Sequence, residues 1–107
     1  MHARSSNYDV KLMSVYVIAQ LRFTDVKLYR RYQKQFLPVF RKSGGKLLAA
    51  DEAPAVLEGE WALNKIVMME FKEANAARQF LDSPEYQLIS RDRHAGAETT
   101  TLLVQGL

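Results

Sequence analysis

Hydrophobic and polar positions alternate along two segments of the chain, and each alternation predicts a β-strand. In residues 15–23 every second side chain is apolar, namely Val15, Val17, Ala19, Leu21 and Phe23. The residues between them, which form the second face, are Tyr16, Ile18, Gln20 and Arg22. Residues 64–71 place Val67, Met69 and Phe71 on one face and Ile66, Met68 and Glu70 on the other. A period of two is that of a strand.

The segment after the first strand has helical spacing. Thr24 or Asp25 is placed to cap the helix, and one apolar stripe follows at Tyr29, Tyr32, Phe36 and Val39 or Phe40. Pro38 removes a backbone donor, so we expect it to kink this helix or to end its regular part. The Gly44-Gly45 pair then terminates it.

The remaining elements follow from shorter signals. Residues 46–50 read as a strand that is interrupted over residues 51–54 and resumed over residues 55–58, with a turn at residues 59–61. A broken helix is predicted over residues 73–81 and 84–93, with Ser83 as the cap and Pro84 at the first helical position. Residues 100–105 form the last strand. Residues 1–12 are predicted to be a flexible N-terminal tail, with Met13 as an alternative start, and residues 13–107 to be a single domain.

This βαββαβ order predicts an α+β ferredoxin-like plait, a four-stranded antiparallel sheet with two helices on one face. The other sheet face would carry an apolar set, namely Tyr16, Ile18, Ile66, Met68 and Leu102 or Leu103. A bare patch of this kind is larger than monomers usually expose, so we expect a second copy to cover it. The sequence therefore predicts a homodimer through sheet-to-sheet packing, a dimeric α/β barrel.

Composition restricts the class of protein. The chain has 107 residues, 48% hydrophobic and 25% charged, which is typical of one soluble globular domain and makes a cytoplasmic location the expectation. No apolar run approaches the ~20 residues of a membrane span, and residues 1–9 lack the apolar region of a secretory signal. The absence of cysteine excludes disulfides, thiolate nucleophiles and cysteine metal sites.

The net charge of +3 does not by itself indicate a nucleic acid partner. Basic residues cluster on and after the first helix, at Lys27, Arg30, Arg31, Lys34, Arg41, Lys42 and Lys46. The aromatic residues between them belong to the buried stripe, so we interpret the cluster as a solvated helix face rather than a phosphate track. We therefore expect no nucleic acid or membrane partner. We also expect no cofactor and no metal, since the folded part has one histidine and no cysteine.

Several motifs together resemble a known family. They are Tyr16-Val17-Ile18-Ala19, Asp25 with Tyr29 and Tyr32, Gly44-Gly45-Lys46, Leu57-Glu58-Gly59 with Trp61, Ile66-Val67-Met68-Met69-Glu70-Phe71, Ser83-Pro84-Glu85-Tyr86-Gln87 and Gly106-Leu107. They are similar to the domain of unknown function 1330 family of the dimeric α/β-barrel superfamily, over about residues 14–107. The resemblance implies a ferredoxin-like subunit and a homodimer whose sheets enclose a small cavity, without an established activity. Gln105, where members often have Glu, and His94 depart from the family pattern.

Three polar residues stand on the face predicted to point into the dimer: Gln20, Arg22 and Glu70. Arg22 could hold an anionic substrate, and Glu70 could act as a base with a raised pKa. Alternatively they pair with each other or with the twin subunit, or lie at the wet rim, which is the interpretation we favour.

Three further residues are candidates for a site. His94 could be an acid–base group or a haem ligand, but a solvated residue near a helix C-terminus is the simpler interpretation. Trp61 could stack on a planar ligand or pack at an interface. Arg93 could pair with Glu85 or form a pocket wall, whereas Tyr29 and Tyr32 are interpreted as core and rim residues. The candidate ligand-binding set is Gln20, Arg22, Trp61, Glu70 and Arg93, and the candidate catalytic set is Arg22, Glu70 and His94.

Three functions fit these patterns. The first is a homodimeric α/β-barrel protein that binds a small organic molecule in the barrel cavity. The second is a cofactor-independent monooxygenase or isomerase, and the third is a structural dimerisation module. A deep cavity lined by Gln20, Arg22 and Glu70 would favour the first two, and a barrel filled by side chains would favour the third.

Overall fold

The computed structural model describes residues 14–107, so the predicted tail of residues 1–12 and the alternative start at Met13 lie outside the described residues. The elements are β1 (Val15–Phe23), α1 (Val26–Phe40), β2 (Lys46–Asp51), β3 (Lys65–Phe71), α2 (Ala74–Asp82), α3 (Pro84–Gly96) and β4 (Ala97–Gln105). A 3-10 turn, Arg41–Ser43, follows α1. Among the described residues, no helix is both long enough and apolar enough to cross a membrane.

The sheet has the strand order β2-β3-β1-β4, and each neighbouring pair is antiparallel. Val17 lies opposite Met69 of β3 and Leu103 of β4. The first and third strands are therefore central neighbours, as the ferredoxin-like plait requires. This confirms the predicted α+β fold class.

The core lies between the helices and one face of the sheet. The alternation predicted for β1 is confirmed, since Val15, Val17 and Leu21 are each 1% exposed. The apolar stripe of α1 packs onto this face as a continuous row of aromatic rings, in which Phe36 stacks on Phe40 with the ring centroids 5.1 Å apart. We call this covered side the helix face of the sheet and the other side the open face.

The predicted continuation of the second strand over residues 55–58 is wrong. Residues 52–64 form an irregular connection, and β2 ends at Asp51 after a register shift between Leu47 and Ala49. The Asp51 carboxylate accepts a hydrogen bond from the Ala53 amide at 2.8 Å, which turns the chain out of the strand. Pro54 has no amide hydrogen with which to resume the ladder.

The boundaries of the helices differ in detail from those predicted. Asp25 is the cap of α1, where one carboxylate oxygen accepts from the amides of Lys27 (3.1 Å) and Leu28 (3.3 Å). Pro38 does not end the helix, which continues to Phe40, because a proline this close to the C-terminus interrupts only the last turn. The chain then turns at Gly44, whose φ of 78° favours glycine.

Both α3 and β4 are longer than predicted, and they meet without a connecting loop. The helix continues to Gly96, and the strand begins at Ala97 rather than at residue 100. The Gly96 carbonyl accepts hydrogen bonds from the amides of Thr24 (2.9 Å) and Asp25 (3.1 Å). A Cβ atom at this position would lie 2.6 Å from the Tyr29 nitrogen, so this close approach to the start of α1 requires glycine.

Candidate functional site

A cavity of about 220 Å³ lies between the helices and the helix face of the sheet. It is smaller than the ~300–1,000 Å³ of a pocket for a drug-sized ligand, so it suits a smaller molecule. Its sheet wall includes Ala19, Val67 and Thr101, and its helix wall includes Tyr29, Tyr32 and Arg93.

The cavity arises where small side chains meet on neighbouring strands. Ala19 of β1 lies opposite Val67 of β3 and Thr101 of β4 in the strand register. Because all three point to the helix face and none is long, they leave space beneath the aromatic row of α1. The predicted strand alternation placed Ala19 and Val67 on this face, but it did not predict the space between these residues and the helices.

Three polar groups on the helix wall are connected by hydrogen bonds. The Tyr32 and Tyr86 hydroxyl oxygens are 3.0 Å apart, and Arg93 Nε donates to the Tyr86 oxygen at 3.3 Å. Burial raises the pKa of Tyr32 far above its usual value. Burial, and secondarily the Glu52 charge, raise the pKa of Tyr29 to about 12. Both phenols are therefore protonated at neutral pH and can donate hydrogen bonds to a ligand.

Lys65 lies on the sheet wall of the same cavity. It is 4% exposed, with its Nζ atom 3.6 Å from a Glu52 carboxylate oxygen and 4.9 Å from the centroid of the Tyr29 ring. Burial lowers the pKa of Lys65, against the opposing effect of Glu52. Glu52 is shared, because Arg30 donates to its two oxygens at 2.5 and 2.7 Å. Hydrogen bonds from Arg30 hold the pKa of this carboxylate below its usual value.

Four of the five predicted ligand-binding residues lie on or beside the open face, away from this cavity. The indole nitrogen of Trp61 donates to the Gln20 side-chain oxygen at 3.0 Å. Arg22 forms an ion pair with Glu98 of β4, and its side chain is 52% exposed. Glu70 is half-buried. Arg93 is the one member of the predicted set that lines the cavity.

The proposed pairing of Arg22 with Glu70 inside one chain is wrong. The strand register places Glu70 opposite Tyr16, and Arg22 lies six residues further along the same strand. At ~3.3 Å per residue, this separates their backbones by about 20 Å. The predicted pairing of Arg93 with Glu85 is also absent, because Glu85 pairs with Lys42 at 2.7 Å.

His94 lies in the last turn of α3, where its side chain is exposed and does not line the cavity. Burial, and secondarily the charge of Arg93, lower the pKa of His94. This position agrees with the interpretation of a helix C-terminal residue. Within residues 14–107 no group of three or more His, Asp or Glu side chains could hold a metal ion.

The predicted interface residues share the open face. Tyr16, Ile18, Ile66 and Met68 are each half-buried in the single chain. The register places Leu102 opposite Ile18, so Leu102 belongs to this face and Leu103, opposite Val17, belongs to the helix face. Leu102 is 47% exposed.

Sequence reasoning missed Lys65 and Tyr86 as cavity residues and assigned Tyr29 and Tyr32 to the core. A signal for Lys65 was present, because it stands two positions before Val67 and so shares its strand face. For Tyr86 no comparable signal exists, since only the packing of α3 on α1 brings its hydroxyl to Tyr32.

Comparison with known proteins agrees with the fold. The sequence model of a family described as "Domain of unknown function (DUF1330)" matches residues 14–107. A protein of unknown function from Rhodopseudomonas palustris has a similar structure, with a TM-score of 0.75 and 14% identity over 100% of this chain and 95% of that one. No curated protein is significantly similar in sequence.

Two other solved structures are similar at lower scores. SnoaB from Streptomyces nogalater, a cofactor-independent oxygenase, has a TM-score of 0.63 and 11% identity over 89% of this chain and 94% of that one. A dimeric protein of unknown function with a ferredoxin-like fold from Bacteroides fragilis has a TM-score of 0.65 and 12% identity, over 86% of this chain and 95% of that one. At these identities the likeness concerns the fold alone.

Proposed function

This chain belongs to the domain of unknown function 1330 family, and on that premise we propose that it forms a homodimeric α/β barrel that binds a small organic molecule. We place this molecule in the cavity between the helices and the helix face of the sheet. The observation that carries the proposal is the cavity of about 220 Å³, because a concave, mainly apolar pocket with a few polar groups is the usual form of a small-molecule site.

The walls indicate the kind of molecule. Most of the lining side chains are apolar or aromatic, including Ala19, Phe36 and Met69. Polar groups are concentrated at the helix wall, where Tyr32 and Arg93 offer donors, and at Lys65 on the sheet wall. A mainly apolar molecule of one or two rings with a single polar group matches this distribution.

The homodimer is supported by the open face. Ile18 lies between Met68 and Leu102 in the register, which forms an apolar row across three strands. A solved structure of this fold is described as dimeric. Pairing two open faces would also enclose Gln20, Arg22, Trp61 and Glu70, which we keep as a second proposed ligand-contacting set that needs the partner subunit.

Fluorescence titration with 2-naphthalenemethanol tests ligand binding. We expect saturable binding, which Ala19→Leu weakens at least about tenfold because the longer side chain enters the cavity; this corresponds to about 1.4 kcal/mol. Ala95→Leu makes the same change at an exposed position on α3 and should leave binding unchanged. Absence of saturable binding, or equal effects of both variants, would contradict the proposal and favour a structural dimerisation module.

A cofactor-independent oxygenase or isomerase is the second candidate function. It is favoured by the protonated phenols of Tyr29 and Tyr32 beside a cationic Arg93, which together could stabilise the negative charge that develops on oxygen when an enolisable substrate loses a proton. SnoaB, a protein of similar fold, is described as a cofactor-independent oxygenase. Substrate-dependent oxygen uptake without added cofactor distinguishes oxygenase turnover from binding, and conversion of the substrate without oxygen uptake identifies an isomerase.

A further inference from the structure

Lys65 is a buried lysine in the lining of a mainly apolar cavity. Lysine is almost never fully buried unless it is paired, and Lys65 is 4% exposed. Its neighbours on the same strand face are Val67 and Met69, and both line the cavity with it. The Lys65 side chain therefore forms part of the wall of the space that the ligand would occupy.

The charge of Lys65 is weakly compensated. Its nearest carboxylate oxygen, on Glu52, is 3.6 Å away, beyond ordinary hydrogen-bond distance. Both oxygens of that carboxylate are already held by Arg30 at 2.7 Å or less. The amine also lies 4.9 Å from the centroid of the Tyr29 ring. Removal from water without a dedicated counter-ion favours the neutral amine, which agrees with the lowered pKa.

A lysine in an apolar pocket, where burial lowers its pKa and so favours the neutral amine, is a nucleophile toward carbonyl carbon. We propose that Lys65 forms an imine with a small aldehyde or ketone held in the cavity, an inference that rests on the proposed ligand-binding function. The amine nitrogen bonds to the carbonyl carbon, and the carbonyl oxygen leaves as water with the two hydrogens of the amine. No oxidant or reductant is needed.

The surroundings of Lys65 suit a carbonyl compound better than a carboxylic acid. A carboxylate would have to displace or repel Glu52, which lies 3.6 Å from Nζ. A carbonyl group is neutral and can accept hydrogen bonds from the phenols, which stay protonated at neutral pH. The apolar walls then hold the hydrocarbon part of the molecule.

Reductive trapping tests the imine. The wild-type protein is incubated with 2-naphthaldehyde and sodium cyanoborohydride, then analysed by intact mass and peptide mapping. We expect a naphthylmethyl group at Lys65 ahead of the exposed lysines. Lys65→Arg keeps the positive charge but should lose this label, and Lys72→Arg, a matched change at an exposed lysine, should keep it.

Competition in the wild-type protein makes the test independent of how the variants fold. An excess of 2-naphthalenemethanol, which has the same ring system but no carbonyl group, should suppress the label at Lys65 and leave labelling of exposed lysines unchanged. If the alcohol binds saturably but Lys65 is not labelled ahead of exposed lysines, the imine is refuted and the binding function stands. If neither the alcohol binds nor Lys65 is labelled, the proposed function itself fails.

Discussion

Lys65 is a buried basic residue in a mainly apolar wall of the cavity, and its burial lowers the stability of the fold. Val67 and Met69 flank it on the same strand face, and burial disfavours its charged form. Binding and catalytic groups are often held at such a cost in stability. The same residue can therefore be tested for its effect on stability, independently of any ligand.

We predict that Lys65→Met raises the free energy of unfolding at pH 7 by about 1 kcal/mol or more, since methionine occupies similar space without a charge to desolvate. Glu52 keeps both hydrogen bonds from Arg30 in this variant. Urea denaturation measures the difference, and Lys72→Met at an exposed position serves as the control. A loss of stability in Lys65→Met would mean that the ion pair with Glu52 outweighs desolvation.

The stabilisation expected from Lys65→Met should become smaller as the pH rises. Burial lowers the pKa of Lys65 in the folded protein below its usual 10.5. Between the two pKa values the unfolded chain binds more protons than the folded one, so wild-type stability rises with pH in the range below 10.5. Methionine does not titrate, so its variant lacks this rise. A gain at pH 10 as large as that at pH 7 would contradict the prediction.

Residue by residue, the sequence predicts which side of the sheet a side chain occupies better than what it contacts. The alternation of β1 separated Val17 from Ile18 correctly, because the strand period is a property of the backbone. Whether Arg22 meets Glu70 or Glu98 depends on the register with two other strands. Register is set by the assembled sheet, so the partner of Arg22 could not be read from its own segment.

Between elements, helices α1 and α3 are joined by one buried hydrogen bond. It links the hydroxyls of Tyr32 and Tyr86 at 3.0 Å, and Arg93 adds a second bond to Tyr86. The Tyr86 hydroxyl thus has two hydrogen-bond partners, whereas among the described residues the Tyr32 hydroxyl is bonded to Tyr86 alone. Removing the Tyr86 hydroxyl should therefore change the stability of the protein by a different amount from removing the Tyr32 hydroxyl.

We predict that Tyr86→Phe lowers the free energy of unfolding by about 1–3 kcal/mol, because it leaves the buried Tyr32 hydroxyl without its partner. Tyr32→Phe should cost less, since Tyr86 keeps its bond from Arg93. The double variant should be no less stable than Tyr86→Phe alone, because it removes the orphaned hydroxyl. Urea denaturation of the four proteins measures this cycle, and strictly additive losses would argue against a coupled pair.

At the level of elements, local chemistry predicted some boundaries and not others. The break between α2 and α3 was predicted because Ser83 acts within its own segment, where its hydroxyl donates to the Phe80 carbonyl and accepts from the Tyr86 amide. The false strand at residues 55–58 had strand-like side chains but no partner. Ile66 already pairs with Asp51, and Lys65 is the first residue of β3, so no ladder positions remained for it.

Across the whole molecule, the helices cover one side of the sheet and leave an apolar row on the other. In the strand register this row runs through Ala49, Met68, Ile18 and Leu102. The sequence predicted this face because side chains alternate between the two sides of each strand and because both helices lie on one side of the sheet. It did not predict the cavity on the helix face, which depends on three small residues from separate strands meeting in register.

The proposed dimer should be sensitive to a single charge on the open face. We predict that Met68→Asp raises the dimer dissociation constant at least about a hundredfold, because sheet-to-sheet packing would bury a carboxylate without a partner. Size-exclusion chromatography with light scattering over a dilution series measures the change. Ile18 lies directly opposite Met68, so Ile18→Asp should act in the same way.

Leu88→Asp provides the matched control, because Leu88 is 61% exposed on α3, away from the sheet. It introduces the same charge at an apolar surface position and should leave the dimer intact. The helix-face core does not include Met68, so a Met68→Asp monomer should keep its far-UV circular dichroism. An unchanged mass for both open-face variants would refute sheet-to-sheet packing. A monomeric wild-type protein would mean that the apolar row serves a different partner.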